Sequence, residues 1–249
     1  MITLHDEVGS RAQVHLDGGF VGSWTAADGT ALLFSRRDMP NGKNRGGIPV
    51  CAPIFGPGES IGLNQHGFAR NCLWRIDEQT ISQVNLSLDN PASQVEGLPP
   101  IYAGIGMELT IALRENTLHE ALVIRNIGIE SAWVNPAFHP YFPIVAGDFA
   151  EQIDVNIDDR NYRLRNEELL ATKKISSIHS VAELRTAQGI WTITADGLPL
   201  FALWTESPSD YVCVEPTSSG YLTDNRATEL HPNGSLSVSM EIVFKNPEA

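Results

Sequence analysis

Gly and Pro interrupt this chain so often that little of it can be helical. There are 21 Gly and 15 Pro in 249 residues, and neither residue suits a helix interior. Between them, apolar and polar residues alternate with the period of a half-buried strand. Strands are predicted over 80–86 (TISQVNL), 107–113 (MELTIAL), 118–125 (LHEALVIR), 191–195 (WTITA) and 236–244 (LSVSMEIVF). The polar link Arg114-Glu115-Asn116 between the second and third of these predicts a hairpin. Only 166–172 (NEELLAT) reads as a short helix. Many short strands at similar spacing imply an all-β antiparallel sandwich or barrel. With no linker, charge block or internal repeat, one domain over 1–249 is expected.

Charge narrows the function. Thirty Asp+Glu against 17 Lys+Arg give a formal charge of −13, so neither nucleic acid nor an anionic membrane is an expected partner. At 42% hydrophobic and 19% charged, the chain can bury a sizeable core. Cys51, Cys72 and Cys213 show no CxxC or Cys/His zinc spacing. Free buried thiols in a reducing compartment, rather than a zinc site, are therefore expected. The N-terminus lacks a basic start followed by an apolar stretch, and no apolar run is long enough to span a bilayer. The expectation is a soluble cytoplasmic protein.

Four clusters carry candidate chemistry. Arg36, Arg37, Lys43 and Arg45 concentrate positive charge in a chain poor in it; they read either as a phosphate- or carboxylate-binding group or as a solvated hairpin tip. His66 and Arg70 flank Gly67. If that segment opens a strand, Arg70 shares a face with Cys72 and Trp74; the other reading is a surface Arg at a strand start. His139 lies among Phe138, Pro140, Tyr141 and Phe142, as an acid or base of shifted pKa or as a hydrogen-bonded core residue. Glu215 follows Val212-Cys213-Val214 and precedes Pro216. Inside an apolar strand it is a candidate general base; at an exposed edge it has no special role.

Together these segments resemble the aldose 1-epimerase (galactose mutarotase-like) superfamily, closest to its hexose-6-phosphate mutarotase branch. The stretch 45–57, RGGIPVCAPIFGP, is similar to that branch's RGGIP-V-x-x-P-x-F-G signature. QHGFAR at 65–70, His139-Pro140-Tyr141-Phe142 and VCVEP at 212–216 match three further motifs in the right order. The resemblance implies a β-supersandwich of large twisted antiparallel sheets with a sugar or sugar-phosphate site on a concave face. It implies interconversion of the α and β anomers of an aldose without a cofactor. Glu215 would be the general base and His139 the general acid, with His66 binding the sugar and Arg45 and Arg70 binding a phosphate. The branch's D-R-x-Y string matches Asp159-Arg160-Asn161-Tyr162, making Asp159 a sugar-binding candidate; a second register through 178–184 (IHSVAEL) puts His179 there instead. Pro140 is more like the free-sugar mutarotases, and Thr217 stands where the phosphate branch commonly has glycine. The readings that follow are a hexose-6-phosphate mutarotase, a mutarotase for a free aldose, and a carbohydrate-binding protein that kept the fold without catalysis. One carboxylate with one imidazole differs from the carboxylate pair of most glycosidases.

Overall fold

The computed structural model describes residues 1–39, 42–144, 153–163, 171–206, 210–219 and 227–246. A nine-stranded antiparallel sheet runs in the order Arg160–Arg163, Asp154–Ile157, Val181–Thr186, Gly189–Asp196, Ser235–Lys245, Thr117–Asn126, Ile105–Arg114, Gln83–Leu88, Arg75–Gln79. Its long strands form where alternation is cleanest. In Thr117–Asn126, Leu118, Glu120, Leu122 and Ile124 are buried while their neighbours are partly or fully exposed. The predicted hairpin pairs Arg114 with Thr117, and Glu115 and Asn116 both take positive φ, at 48° and 59°. That is the primed two-residue turn whose twist suits a hairpin.

A second sheet has six strands. It runs Lys173–Ser176, Leu200–Trp204, Tyr211–Thr217, Ala137–Phe138, Val50–Cys51, with Tyr141–Pro143 also pairing to Tyr211–Thr217. A three-stranded sheet, Ile2–His5, Arg11–His15 and Phe20–Thr25, completes the framework. One apolar cluster joins all three, including Leu4 and Val14, Ile193 and Met240, and Phe142 and Val212. These sheets and their shared core bear out the predicted all-β class. Among the described residues no helix is long and apolar enough to cross a membrane.

Two local expectations change. The strand expected over 80–86 starts instead at Gln83. Thr80 Oγ1 accepts the N–H groups of Ser82 (3.3 Å) and Gln83 (3.0 Å), so a hydroxyl turn takes the first residues. Arg70 does not enter a strand, because Ala69–Asn71 is a 3-10 turn. The helix expected at 166–172 lies mostly outside the described residues. A short helix at Pro100–Ala103, absent from the sequence reading, starts on its proline and stops at Gly104.

Candidate active site

The site stands on the strand Tyr211–Thr217, buried along its whole length. Strand alternation divides its side chains. Val212 and Val214 join the core shared by the three sheets. Tyr211 and Cys213 pack on the opposite side with Phe34 and Tyr141, and Glu215 follows in the same phase. Next door, Phe142 faces the main core and Tyr141 the other side, in register with Val212 and Cys213. Glu215 pairs across the ladder with Ala202, whose methyl group takes little of the space beside the carboxyl.

Glu215 and His139 thus meet in a cavity of about 520 Å³ also lined by His66, Arg70, Arg45, Trp204 and Glu206. His139 Nε2 lies 3.4 Å from Glu215 Oε2, both side chains being buried. The imidazole of His139 stacks on Tyr141, with centroids 4.8 Å apart and planes 8° apart. Its edges meet His66 at 5.6 Å and Trp204 at 6.0 Å. Burial pushes the Glu215 carboxyl well above the usual carboxylate range. Burial, followed by His66 and Arg70, holds the His139 imidazole well below its usual range. The two groups form one coupled unit, and in the sugar-free pocket burial favours the form in which both are neutral.

His66 is oriented by its backbone. It adopts φ 65°, and its Nδ1 accepts the Gly56 N–H at 3.1 Å. The ring proton is therefore on Nε2, a donor of fixed direction. Burial, then Arg70 and Arg45, lower its pKa to about 3, so it stays neutral near pH 7.

The other wall is basic. Arg36, Lys43, Arg45 and Arg70 all line it, so the hairpin containing Lys43 and Arg45 edges the cavity. Arg45 is ion-paired to Glu206, its Nη1 donates to the Asn44 carbonyl at 3.2 Å, and its guanidinium lies 5.3 Å over the Trp204 ring. Tyr211 donates its hydroxyl to the second Glu206 oxygen at 2.9 Å. The Arg45 hydrogen bond is the largest influence holding Glu206 below the usual carboxylate range. Arg70 donates to the Gln65 carbonyl at 2.9 Å. Arg37 is absent from the lining and instead meets Asp210 at 2.6 Å.

Five of the six sequence-predicted site residues converge here: His139, Glu215, Arg45, His66 and Arg70. Asp159 does not. It is exposed in the turn joining Asp154–Ile157 to Arg160–Arg163, at the edge of the other sheet, with φ 62°. His179 is exposed too, and its N–H bonds to Asp158. Neither lines the cavity. Asp158 instead ties its own turn to the next strand connection, accepting from Ser177 Oγ at 2.9 Å. Sequence reasoning missed Glu206, which reads as a loop acid; its contact with Arg45 spans 161 residues and leaves no local pattern. All three cysteines are free and buried. Among the described residues, one His/Cys/Asp/Glu group has metal-ligand spacing, His139, Cys213 and Glu215, with donor atoms within 4.8 Å of one another. Burial pushes the pKa of both its thiol and its carboxyl upward.

The chain is 42% identical over 79 residues to an Escherichia coli K12 protein provisionally named glucose-6-phosphate 1-epimerase, a match covering 30% of this chain and 26% of that one. A Cenchrus ciliaris protein with the same provisional name is 46% identical over 69 residues, covering 26% and 20%. The matched stretch is thus about a quarter or less of either relative. A galactose mutarotase related enzyme from Lactobacillus acidophilus superposes with TM-score 0.82 at 16% identity, over 98% of this chain and 97% of that one. A galactose mutarotase-like protein from Lactobacillus casei gives the same score at 15% identity, over 98% and 100%. These two likenesses establish the galactose mutarotase-like fold. The sequence pattern described as Aldose 1-epimerase matches residues 1–237, and on that match the chain belongs to the aldose 1-epimerase family.

Proposed function

We propose that the protein is a mutarotase that interconverts the α and β anomers of an aldohexose 6-phosphate, with glucose 6-phosphate the first substrate to test. The observation that carries this reading is a buried carboxyl–imidazole pair, 3.4 Å apart, in a cavity also lined by Arg36, Lys43, Arg45 and Arg70. Ring opening needs one group to take the proton of the anomeric hydroxyl while another protonates the ring oxygen. A hydroxyl donating to Glu215 favours its ionised form, so the bound sugar draws the shared proton onto His139. Glu215 then takes the hydroxyl proton, His139 Nε2 gives its proton to the ring oxygen, and the C1–ring oxygen bond breaks to leave an aldehyde. Rotation about C1–C2 presents the other carbonyl face, and closure reverses both transfers. His66 Nε2–H orients a sugar oxygen. The basic wall attracts the phosphate despite the overall negative charge.

A free aldose is the second reading. It is favoured by the Arg45–Glu206 pair, which neutralises one cation of that wall. NMR saturation transfer between anomers, with glucose 6-phosphate, glucose and galactose compared for wild type and Glu215→Gln, decides between them. Faster exchange confined to the phosphate and lost in the variant supports the main reading. Faster exchange of a free sugar alone transfers the mechanism to the second. Sugar binding without faster exchange of any anomer overturns catalysis.

A further inference from the structure

Cys213 takes no part in the proton transfers above, yet it stands beside both groups that do. Cys213 and Glu215 are two apart on the strand Tyr211–Thr217, so their side chains project to the same side of it. Tyr141 pairs with Cys213 across the ladder, and the His139 imidazole stacks on the Tyr141 ring. The Cys213 Sγ, a His139 ring nitrogen and a Glu215 oxygen consequently lie within 4.8 Å of one another, all on buried residues. His139 Nε2 and Glu215 Oε2 are 3.4 Å apart. A nitrogen and an oxygen on one tetrahedral zinc ion, each bonded at about 2.1 Å, stand about 3.4 Å apart as well. A thiolate on the same ion sits about 3.6 Å from each, so from 4.8 Å the sulfur closes by about 1.2 Å at most. Among the described residues His139 Nδ1 has no hydrogen-bond partner, so no bond there opposes a small turn of the ring toward a ligand. His139 and Glu215 line the cavity, whereas fully buried Cys213 does not. An ion entering from the cavity meets the imidazole and carboxyl first and the thiol behind them. Its fourth position then faces the cavity, where water can fill it. Thiolate and imidazole select zinc-like cations over Mg2+ and Ca2+, which prefer oxygen ligands. The ion displaces one proton from the thiol and one from the carboxyl, and the two anions balance its double charge.

We propose that Cys213, His139 and Glu215 form an inhibitory site for a thiophilic divalent cation of the zinc class. An ion there occupies the Glu215 carboxylate and the His139 lone pair, so neither group can exchange a proton with a sugar. The inhibition rests on the mutarotase reading above; the binding of metal does not. Cd2+ is the spectroscopic probe, because a Cd2+–thiolate bond absorbs in the ultraviolet, and Zn2+ is the inhibitor. Wild type, Cys213→Ala, Cys213→Ser and Cys72→Ala, each checked for folding by circular dichroism, are titrated with Cd2+. Anomer exchange is then followed against Zn2+, with EDTA added last, and each rate is taken relative to the same protein's metal-free rate. In wild type and Cys72→Ala, one equivalent of Cd2+ should develop the thiolate absorption, and Zn2+ should stop exchange until EDTA restores it. Both Cys213 variants should lose the absorption and need at least about tenfold more Zn2+ for half-inhibition. Absorption that persists in the Cys213 variants, or Zn2+ sensitivity equal to wild type in both, overturns the site. Sugar exchange that Zn2+ leaves untouched, with no absorption from Cd2+, overturns the inference and leaves the mutarotase reading intact. Cys213-dependent absorption in a protein that speeds exchange of no sugar upholds the metal site and overturns the mutarotase reading, along with the inhibition that rests on it.

Discussion

Glu120 is a buried carboxyl outside the site. It sits on the buried face of Thr117–Asn126 between Leu118 and Leu122, and among the described residues neither carboxyl oxygen has a hydrogen-bond partner. Burial raises its pKa well above the usual 4.5. The folded protein therefore keeps a proton that the unfolded chain releases above that value. Where the native state binds more protons, stability falls as pH rises, so this contribution is present below about pH 4.5 and is lost toward the raised folded pKa. Glu120→Met should stabilise the protein by about 1–3 kcal/mol at pH 8 and by less at pH 5, measured by urea unfolding. Equal gains at both pH values would show that the carboxyl is not protonated in the fold. The coupled pair His139 and Glu215 makes a separate prediction. Since burial holds His139 well below its usual 6.5, its ring in the sugar-free protein should remain neutral by NMR at pH 6.0. A ring titrating at the ordinary value would contradict the neutral resting form.

At the scale of elements, the loop carrying His66 and Arg70 depends on a glycine. Gly67 bridges Ala52 in parallel, and the Ala52 carbonyl accepts both the Phe68 and Ala69 N–H groups at 3.0 Å. A Cβ at Gly67 would lie 2.2 Å from that carbonyl oxygen, on a backbone with φ +72°. Gly67→Ala must push the loop off the Val50–Cys51 strand and displace His66 with it. It should cost about 2 kcal/mol or more in stability and lower kcat/KM at least about tenfold; unchanged sugar kinetics would refute the dependence.

The same contrast between local and assembled features governs what could be read in advance. Long strands of the nine-stranded sheet were legible because one face is more exposed than the other, which writes alternation into the sequence. Tyr211–Thr217 was legible as an apolar run, although its complete burial removes alternation. The two-residue strands Val50–Cys51 and Ala137–Phe138 were not, because pairing rather than composition defines them. Asp159 shows the converse. Its string fits the family pattern, but left-handed backbone and exposure make it a turn residue here. Motifs brought five residues to one cavity; the charge balance around Arg45 emerged only when distant loops met.

For the molecule as a whole, Trp191 is one point where the sheets are joined. It belongs to the nine-stranded sheet, packs against Phe142 of the six-stranded sheet at 5.8 Å and against Phe244 at 5.0 Å, and is fully buried. Its indole N–H donates to the Leu32 carbonyl at 2.9 Å, and Leu32 is itself bonded through its N–H to Trp24 of the three-stranded sheet. One side chain thus touches two sheets directly and reaches the third through a single residue. Phe142, which makes that contact, directly follows Tyr141, on which His139 stacks, so loosening it moves the platform under the acid/base pair. Trp191→Ala should cost about 3–5 kcal/mol in urea unfolding through the cavity it leaves. Trp191→Phe keeps most of the packing and should cost about 1–3 kcal/mol, chiefly by leaving the Leu32 carbonyl unpaired. Both variants should lose activity in proportion to how far His139 shifts, followed by its ring NMR signals. If Trp191→Ala retains wild-type stability, the sheets are held together elsewhere and the rigidity of the site has another source.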